Sequence, residues 1–176
     1  DYVIFHGVLT RSLEEHAKLG GSLARRLGIC GHALIMLLAR YLPDQPMLTA
    51  EDYVAFDESD EQAWVRDLLE RNQSNGEVSI WLAAIIARRA LEAGHLWEDL
   101  GLPDRPSLRL VMDRHFAPLA ARNKNMRWKR FLYRCLCEEE GMNHCTSPTC
   151  SECSEVAVCF EPDSAEAMLA IAKRAP

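Results

Sequence analysis

Four cysteines, Cys145, Cys150, Cys153 and Cys159, follow one another in the pattern C-x4-C-x2-C-x5-C near the C-terminal end of the chain. Ser147, Pro148, Ser151 and Ser154 lie between them and break regular structure. The segment is therefore expected to fold as an irregular loop whose sulfurs point at one centre. Such convergence is what a zinc ion or an iron–sulfur cluster requires. Two disulfides fit less well, because the chain holds seven cysteines, an odd number, and no secretory signal is read at its start, Asp1. Four clustered and three scattered thiols suit a reducing compartment, so a cytoplasmic protein is expected.

Spacing also bears on which metal is held. Zinc fingers usually present two C-x2-C knuckles, and only Cys150 and Cys153 form such a pair here. A cysteine four positions ahead of a C-x2-C is the local spacing of plant-type ferredoxins, although their fourth ligand lies far downstream. Spacing alone places iron–sulfur modestly ahead of structural zinc. His144 adjoins the quartet and reads first as an exposed loop residue, with metal ligation or a hydrogen bond to a cluster sulfur as the functional reading. Cys137 is a candidate extra ligand, whereas Cys135 and Cys30 read as core. His115 reads as a satisfied helix residue, and the other histidines carry no spacing that suggests a site.

Everything ahead of the quartet reads as helix. Val8, Leu9, Leu13, Ala17 and Leu19 recur at near-helical spacing, as do Leu34, Met36, Leu37, Leu38 and Tyr41, with Pro43 and Pro46 closing the second element. A third helix is expected over Ser59–Arg71, then a turn over Asn72–Gly76. A strong helix follows over Val78–Ala93, with Ile80, Trp81, Ala84, Ile85 and Leu91 spaced for burial. Alternating β-branched runs are almost absent. Gly21, Leu23, Leu27, Gly28 and Ile29 recur 73 residues later as Gly94, Leu96, Leu100, Gly101 and Leu102. A duplicated helix–turn–helix unit and a chance likeness of two leucine-rich helices both account for this.

From Asn123 the composition changes. Trp128, Phe131, Leu132, Cys135 and Leu136 form an apolar stripe, beside a cationic one of Arg127, Arg130 and Arg134 with Lys124 and Lys129. That helix is expected to end at Gly141, and Ser164–Arg174 reads as a short terminal helix. The cationic stripe reads as a solvated face, as an attractor of an anion or counterweight to a thiolate-rich cluster, or as a dock for an acidic partner.

The quartet, the run Met126–Arg134 (Met-Arg-Trp-Lys-Arg-Phe-Leu-Tyr-Arg) and the phrase His95–Leu102 (His-Leu-Trp-Glu-Asp-Leu-Gly-Leu) together resemble the NifQ family. The likeness covers at least residues 80–162 and is weaker over the first 75. It implies an iron–sulfur protein with a molybdenum–iron–sulfur cluster on Cys145, Cys150, Cys153 and Cys159. It also implies donation of molybdenum to the NifEN scaffold complex, with NifH taking part, during assembly of the nitrogenase iron–molybdenum cofactor.

Composition excludes several other classes. A net charge of −6 opposes general nucleic-acid binding. No apolar run reaches the roughly 18 residues that span a bilayer. No phosphate-cradling glycine loop, H-E-x-x-H or nucleophile elbow appears, so a metallochaperone is expected rather than an enzyme. The expected architecture is all-α: a multi-helix body over residues 1–140, then a small cysteine-rich module over 141–176. A zinc-stabilised helical interaction module and an iron–sulfur electron carrier are the competing readings.

Overall fold

The computed structural model describes residues 1–45 and 48–140, together with Cys159, Met168 and Ala172. Pro46, Gly141, His144, Cys145, Cys150 and Cys153 lie outside the described residues, as does most of the expected terminal helix. Met168 and Ala172, from within that stretch, are helical.

The described residues are all-helical, with no strand among them. α1 runs over Tyr2–Leu19, α2 over Leu23–Leu27, α3 over Gly31–Tyr41, α4 over Asp60–Arg71 and α5 over Gly76–Ala90. α6 (Leu96–Asp99), α7 (Arg105–His115), α8 (Ala117–Ala120) and α9 (Trp128–Glu140) complete the body. A single 3-10 turn, Ala50–Tyr53, separates α3 from α4. No described helix is long and apolar enough to cross a membrane.

Local chemistry sets several boundaries. The Ser59 hydroxyl accepts from the Gln62 N–H and opens α4, and the Asp104 carboxylate accepts from the Ser107 N–H at 2.8 Å and opens α7. α5 is central, packing against α4, α2, α6 and α7, while α1 lies against α2 and α3 and α9 against α4. Phe5, Val8 and Leu9 of α1, Leu34 and Leu37 of α3, Leu68 of α4, Leu82 and Ile86 of α5 and Leu132 of α9 are removed from solvent in one continuous core. Phe5 stacks on Tyr41 with ring centroids 4.6 Å apart.

The register of α5 departs from expectation. Ile80 is 46% exposed, and the buried positions include Ser79, Leu82, Ala83, Ile85, Ile86, Arg89 and Ala90. The physical reason is polar. The Ser79 hydroxyl accepts from the Asn75 N–H and lies 3.1 Å from Nδ1 of His115, so it stays satisfied inside. Arg89, 1% exposed, donates to Glu15 at 2.8 Å and to the Ser12 hydroxyl, which in turn donates to the Val8 carbonyl.

The two segments related by 73 residues adopt like conformations. Each is a short helix, α2 or α6, followed by a glycine of positive φ, Gly28 at 73° and Gly101 at 66°. α3 and α7 then end with the same cap geometry, Leu42 at φ −149°, ψ 62° and Phe116 at φ −138°, ψ 45°.

Candidate functional site

α9 carries the approach to the cysteine segment, and its apolar stripe is buried as the spacing predicts: Trp128, Phe131, Leu132, Cys135 and Leu136 all face the core. Ahead of it, the α8–α9 turn is clamped by Asn123. Its side-chain amide donates to the Met126 carbonyl at 3.0 Å, and its amide oxygen accepts from the Met126 N–H at 2.8 Å. Asn125 takes the left-handed conformation this turn demands, with φ 64°.

Part of the cationic stripe is built into the structure, through the half-buried Lys129 and Arg130, while Lys124 and Arg134 lie on an exposed face. Lys129 reaches across to α5 and α6, where Nζ donates to the Glu92 and Gly94 carbonyls, both at 2.6 Å, and to the Asp99 carboxylate at 2.8 Å. Burial pushes the Asp99 carboxyl above its usual range, with Lys129 and Arg11 pulling the other way. Arg130 donates to the backbone carbonyl of Cys159. Arg134 pairs with Glu138 one turn on, at 2.9 Å. Arg109 of α7 donates to the Asn123 carbonyl, pairs with Asp113 and lays its guanidinium over the Trp128 ring, 5.8 Å from the centroid.

Between α6, α7 and the start of α9 these side chains enclose an open groove of about 520 Å³. Leu96, Trp97, Leu108, Met126 and Trp128 give it an apolar floor, and Arg105, Arg109, Arg127, Lys129 and Arg130 surround it. Cys159 forms part of its wall, and no aspartate or glutamate among the described residues lines it. The buried indole N–H of Trp97, also in that wall, has no hydrogen-bond partner among the described residues. His95 lies at the groove edge as the N-cap of α6, where its N–H donates to the Glu98 carboxylate at 3.1 Å.

Of the expected ligands, only Cys159 falls among the described residues, where it is helical and half-buried. Those residues contain no group of three or more His, Cys, Asp or Glu side chains able to hold a metal. Cys135 is buried in the core, its thiol pushed up to about 11 by burial. Cys137 is half-buried further along α9, and Cys30 caps α3 at the edge of the core. His115 is 1% exposed, held between Ser79 and the Asp1 carboxylate, which lies 2.9 Å from Nε2.

Sequence reasoning did not place Arg105 and Arg109 at a site, and it gave His95 no role of its own. All three lie some 50 to 64 residues before Cys159, and no local spacing connects them to it. The one available signal was the His95–Leu102 phrase itself.

The sequence profile of the NifQ family matches residues 4–161. Protein NifQ of Rhodobacter capsulatus is 43% identical over 158 residues, covering 89% of this chain and 87% of the relative. A NifQ homolog of Sinorhizobium fredii is 37% identical over 177 residues, covering 98% and 77%. Protein NifQ of Azotobacter vinelandii is 44% identical over 94 residues, covering 53% and 48%. No solved structure matches the chain. The match spans the helical body and the whole cysteine quartet, and the chain belongs to the NifQ family.

Proposed function

We propose that this protein carries molybdenum on an iron–sulfur cluster and donates it during assembly of the nitrogenase iron–molybdenum cofactor in nitrogen-fixing cells. It acts in the cytoplasm as a metallochaperone rather than as an enzyme, and the NifEN scaffold complex, with NifH, is the recipient. The observation that carries this reading is family membership over residues 4–161, a span that contains all four cysteines of the C-x4-C-x2-C-x5-C pattern.

The donor chemistry around Cys159 fits such a group. A soft thiolate suits iron–sulfur species. The arginine-rich groove wall, with no carboxylate among the described residues, would oppose the negative charge that thiolates and sulfides bring, and the Trp97 N–H, without a partner among those residues, is a donor suited to a sulfur acceptor. Cys145, Cys150, Cys153 and Cys159 would hold the cluster in a C-terminal cysteine module. When bound, the cluster supplies sulfide and iron sites at which a molybdenum atom is held.

This chain's own residues set the frame for that chemistry. Arg130 fixes the Cys159 backbone against α9, and Lys129 ties α9 to the α5–α6 connection.

Metal analysis and electron paramagnetic resonance on anaerobically purified protein test the proposal. Brown protein containing iron and molybdenum is expected. Colourless protein with one zinc per chain would overturn the reading in favour of a zinc-stabilised interaction module. Iron without molybdenum, after growth with molybdate, would overturn it in favour of an electron carrier.

A further inference from the structure

Arg130 leaves a helical turn that is held from several directions. Trp128 and Phe131, on either side of it in that turn, are buried in the core, and the Arg109 guanidinium lies over the Trp128 ring. Lys129, its neighbour, ties the same turn to the Glu92 and Gly94 carbonyls and to the Asp99 carboxylate. A half-buried side chain that starts from so rigid a base is well placed to hold another group in position. Its guanidinium donates to the backbone carbonyl of Cys159, 29 residues further along the chain, and both residues line the groove.

Where that contact falls in the chain gives it a consequence for the quartet. Arg130 stands in the first turn of α9 and Glu140 ends the helix, about 15 Å away at 1.5 Å per residue. Residues 141–158, which include Cys145, Cys150 and Cys153, therefore join the far end of α9 to a cysteine fixed beside its near end. Bringing the ends of such a segment together costs chain entropy, and a metal that gathers its own ligands has to supply it. The Arg130 bond joins two groups of the protein, so it offsets part of that cost without taking a place at the metal.

We propose that Arg130 is the positioning residue of the quartet: it seats Cys159 against α9, and this raises the affinity of the four thiolates for a thiophilic metal ion. Cys159 is the anchored ligand of the four. That these cysteines are the metal ligands rests on the reading above; the role of Arg130 does not depend on which metal they carry.

The test titrates cobalt(II) into the full chain, anaerobic and stripped of metal, and follows the thiolate-to-cobalt absorption. Removing an outer partner of a ligand weakens metal binding roughly 10- to 100-fold, so Arg130→Met, which keeps an aliphatic stem, should weaken cobalt about ten-fold or more. Arg130→Gln should weaken it likewise, and Arg130→Lys, which keeps the charge and a donor, should recover part of the loss. Arg134→Met removes the same charge from the exposed side of α9, where Arg134 pairs with Glu138, and should stay within about two-fold. A double-mutant cycle then ties the effect to one cysteine. Arg130→Met should add almost nothing in a Cys159→Ala background and keep its effect in a Cys145→Ala background. Helical circular dichroism and the urea midpoint of each variant separate a loss of positioning from a loss of fold.

Cobalt affinity unchanged in folded Arg130→Met and Arg130→Gln would overturn the proposal. Equal weakening in Arg134→Met would do so too, by reducing the effect to charge alone. So would an Arg130→Met effect that persists undiminished without the Cys159 thiol, since the arginine would then act on the fold at large. Absence of a thiolate-to-cobalt band in the unsubstituted chain would remove the quartet as a metal site and this role with it. Zinc, or iron without molybdenum, in the protein as isolated would overturn the carrier reading alone and leave the role of Arg130 standing.

Discussion

Lys129 shows how much one side chain can do at the junction of three elements. Only 12% of its side chain is exposed, and its three donors satisfy two backbone carbonyls and a carboxylate. Lys129→Met keeps the aliphatic stem but strands those acceptors, leaving Asp99 with Arg11 at 3.9 Å. The expected loss is about 2–4 kcal/mol in urea unfolding, because an uncompensated buried acceptor costs more than the pair contributes. Asp99→Asn in the same background should cost less than it does alone, which a double-mutant cycle will read. His115 gives a pH prediction. Burial first, then the positive charge of Arg114, push its pKa down to about 4 from 6.5. Between those values the unfolded chain binds a proton that the folded one refuses, so stability falls as pH drops from about 6.5 to about 4. Asp99, pushed the other way, offsets part of that loss. Chemical denaturation across the window should show a shallower pH slope for His115→Asn than for the unsubstituted chain.

At the scale of elements, helices with one apolar face were legible and the joints were not. The α4 boundary predicted at Ser59 is its cap, and the α9 stripe is buried as read, since each follows from spacing within a single helix. α5 was legible as a helix but not in register. Its partners lie on several sides, and Ser79 is held inside by His115, 36 residues away, which no local pattern encodes. α6 and α8, four residues each, are too short for periodicity to register. The closest approach between elements is backbone on backbone. A Cβ on Gly101 would stand 2.5 Å from the Gly7 carbonyl oxygen, and φ there is 66°. Gly101→Ala therefore combines left-handed strain with a clash against α1, and about 3 kcal/mol of destabilisation is expected. Gly20→Ala has nearly the same φ, 67°, with nothing within 4 Å of the added carbon. With ψ at −164° it occupies a region essentially reserved for glycine, so it should cost about 1–3 kcal/mol from backbone strain alone, and the two unfolding curves compare strain without a clash against strain with one.

At the scale of the whole molecule, the described core is built from the helices that precede the cysteine segment in the chain. The quartet states its expectation in so few residues that it needs no tertiary information, while the groove beside Cys159 was not legible, because α6, α7 and α9 are brought together only by folding. Among the described residues, the buried core runs from Ile4 to Leu136 and draws on each of the longer helices, α1, α3, α4, α5, α7 and α9. A carrier built in this way can surrender its metal without unfolding, whereas a zinc-nucleated module has its folding free energy in the metal itself. Cys159→Ala, or Cys→Ala at Cys145, Cys150 or Cys153, is expected to remove most bound iron and molybdenum. The helical circular dichroism and the urea midpoint of the body should stay within about 1 kcal/mol of the unsubstituted chain, as for substitutions outside a core. Metal removal by an anaerobic chelator should do the same. Cooperative unfolding on chelation would instead place the metal among the groups that hold the body together, and release of cargo to a docked partner would then require the carrier itself to unfold.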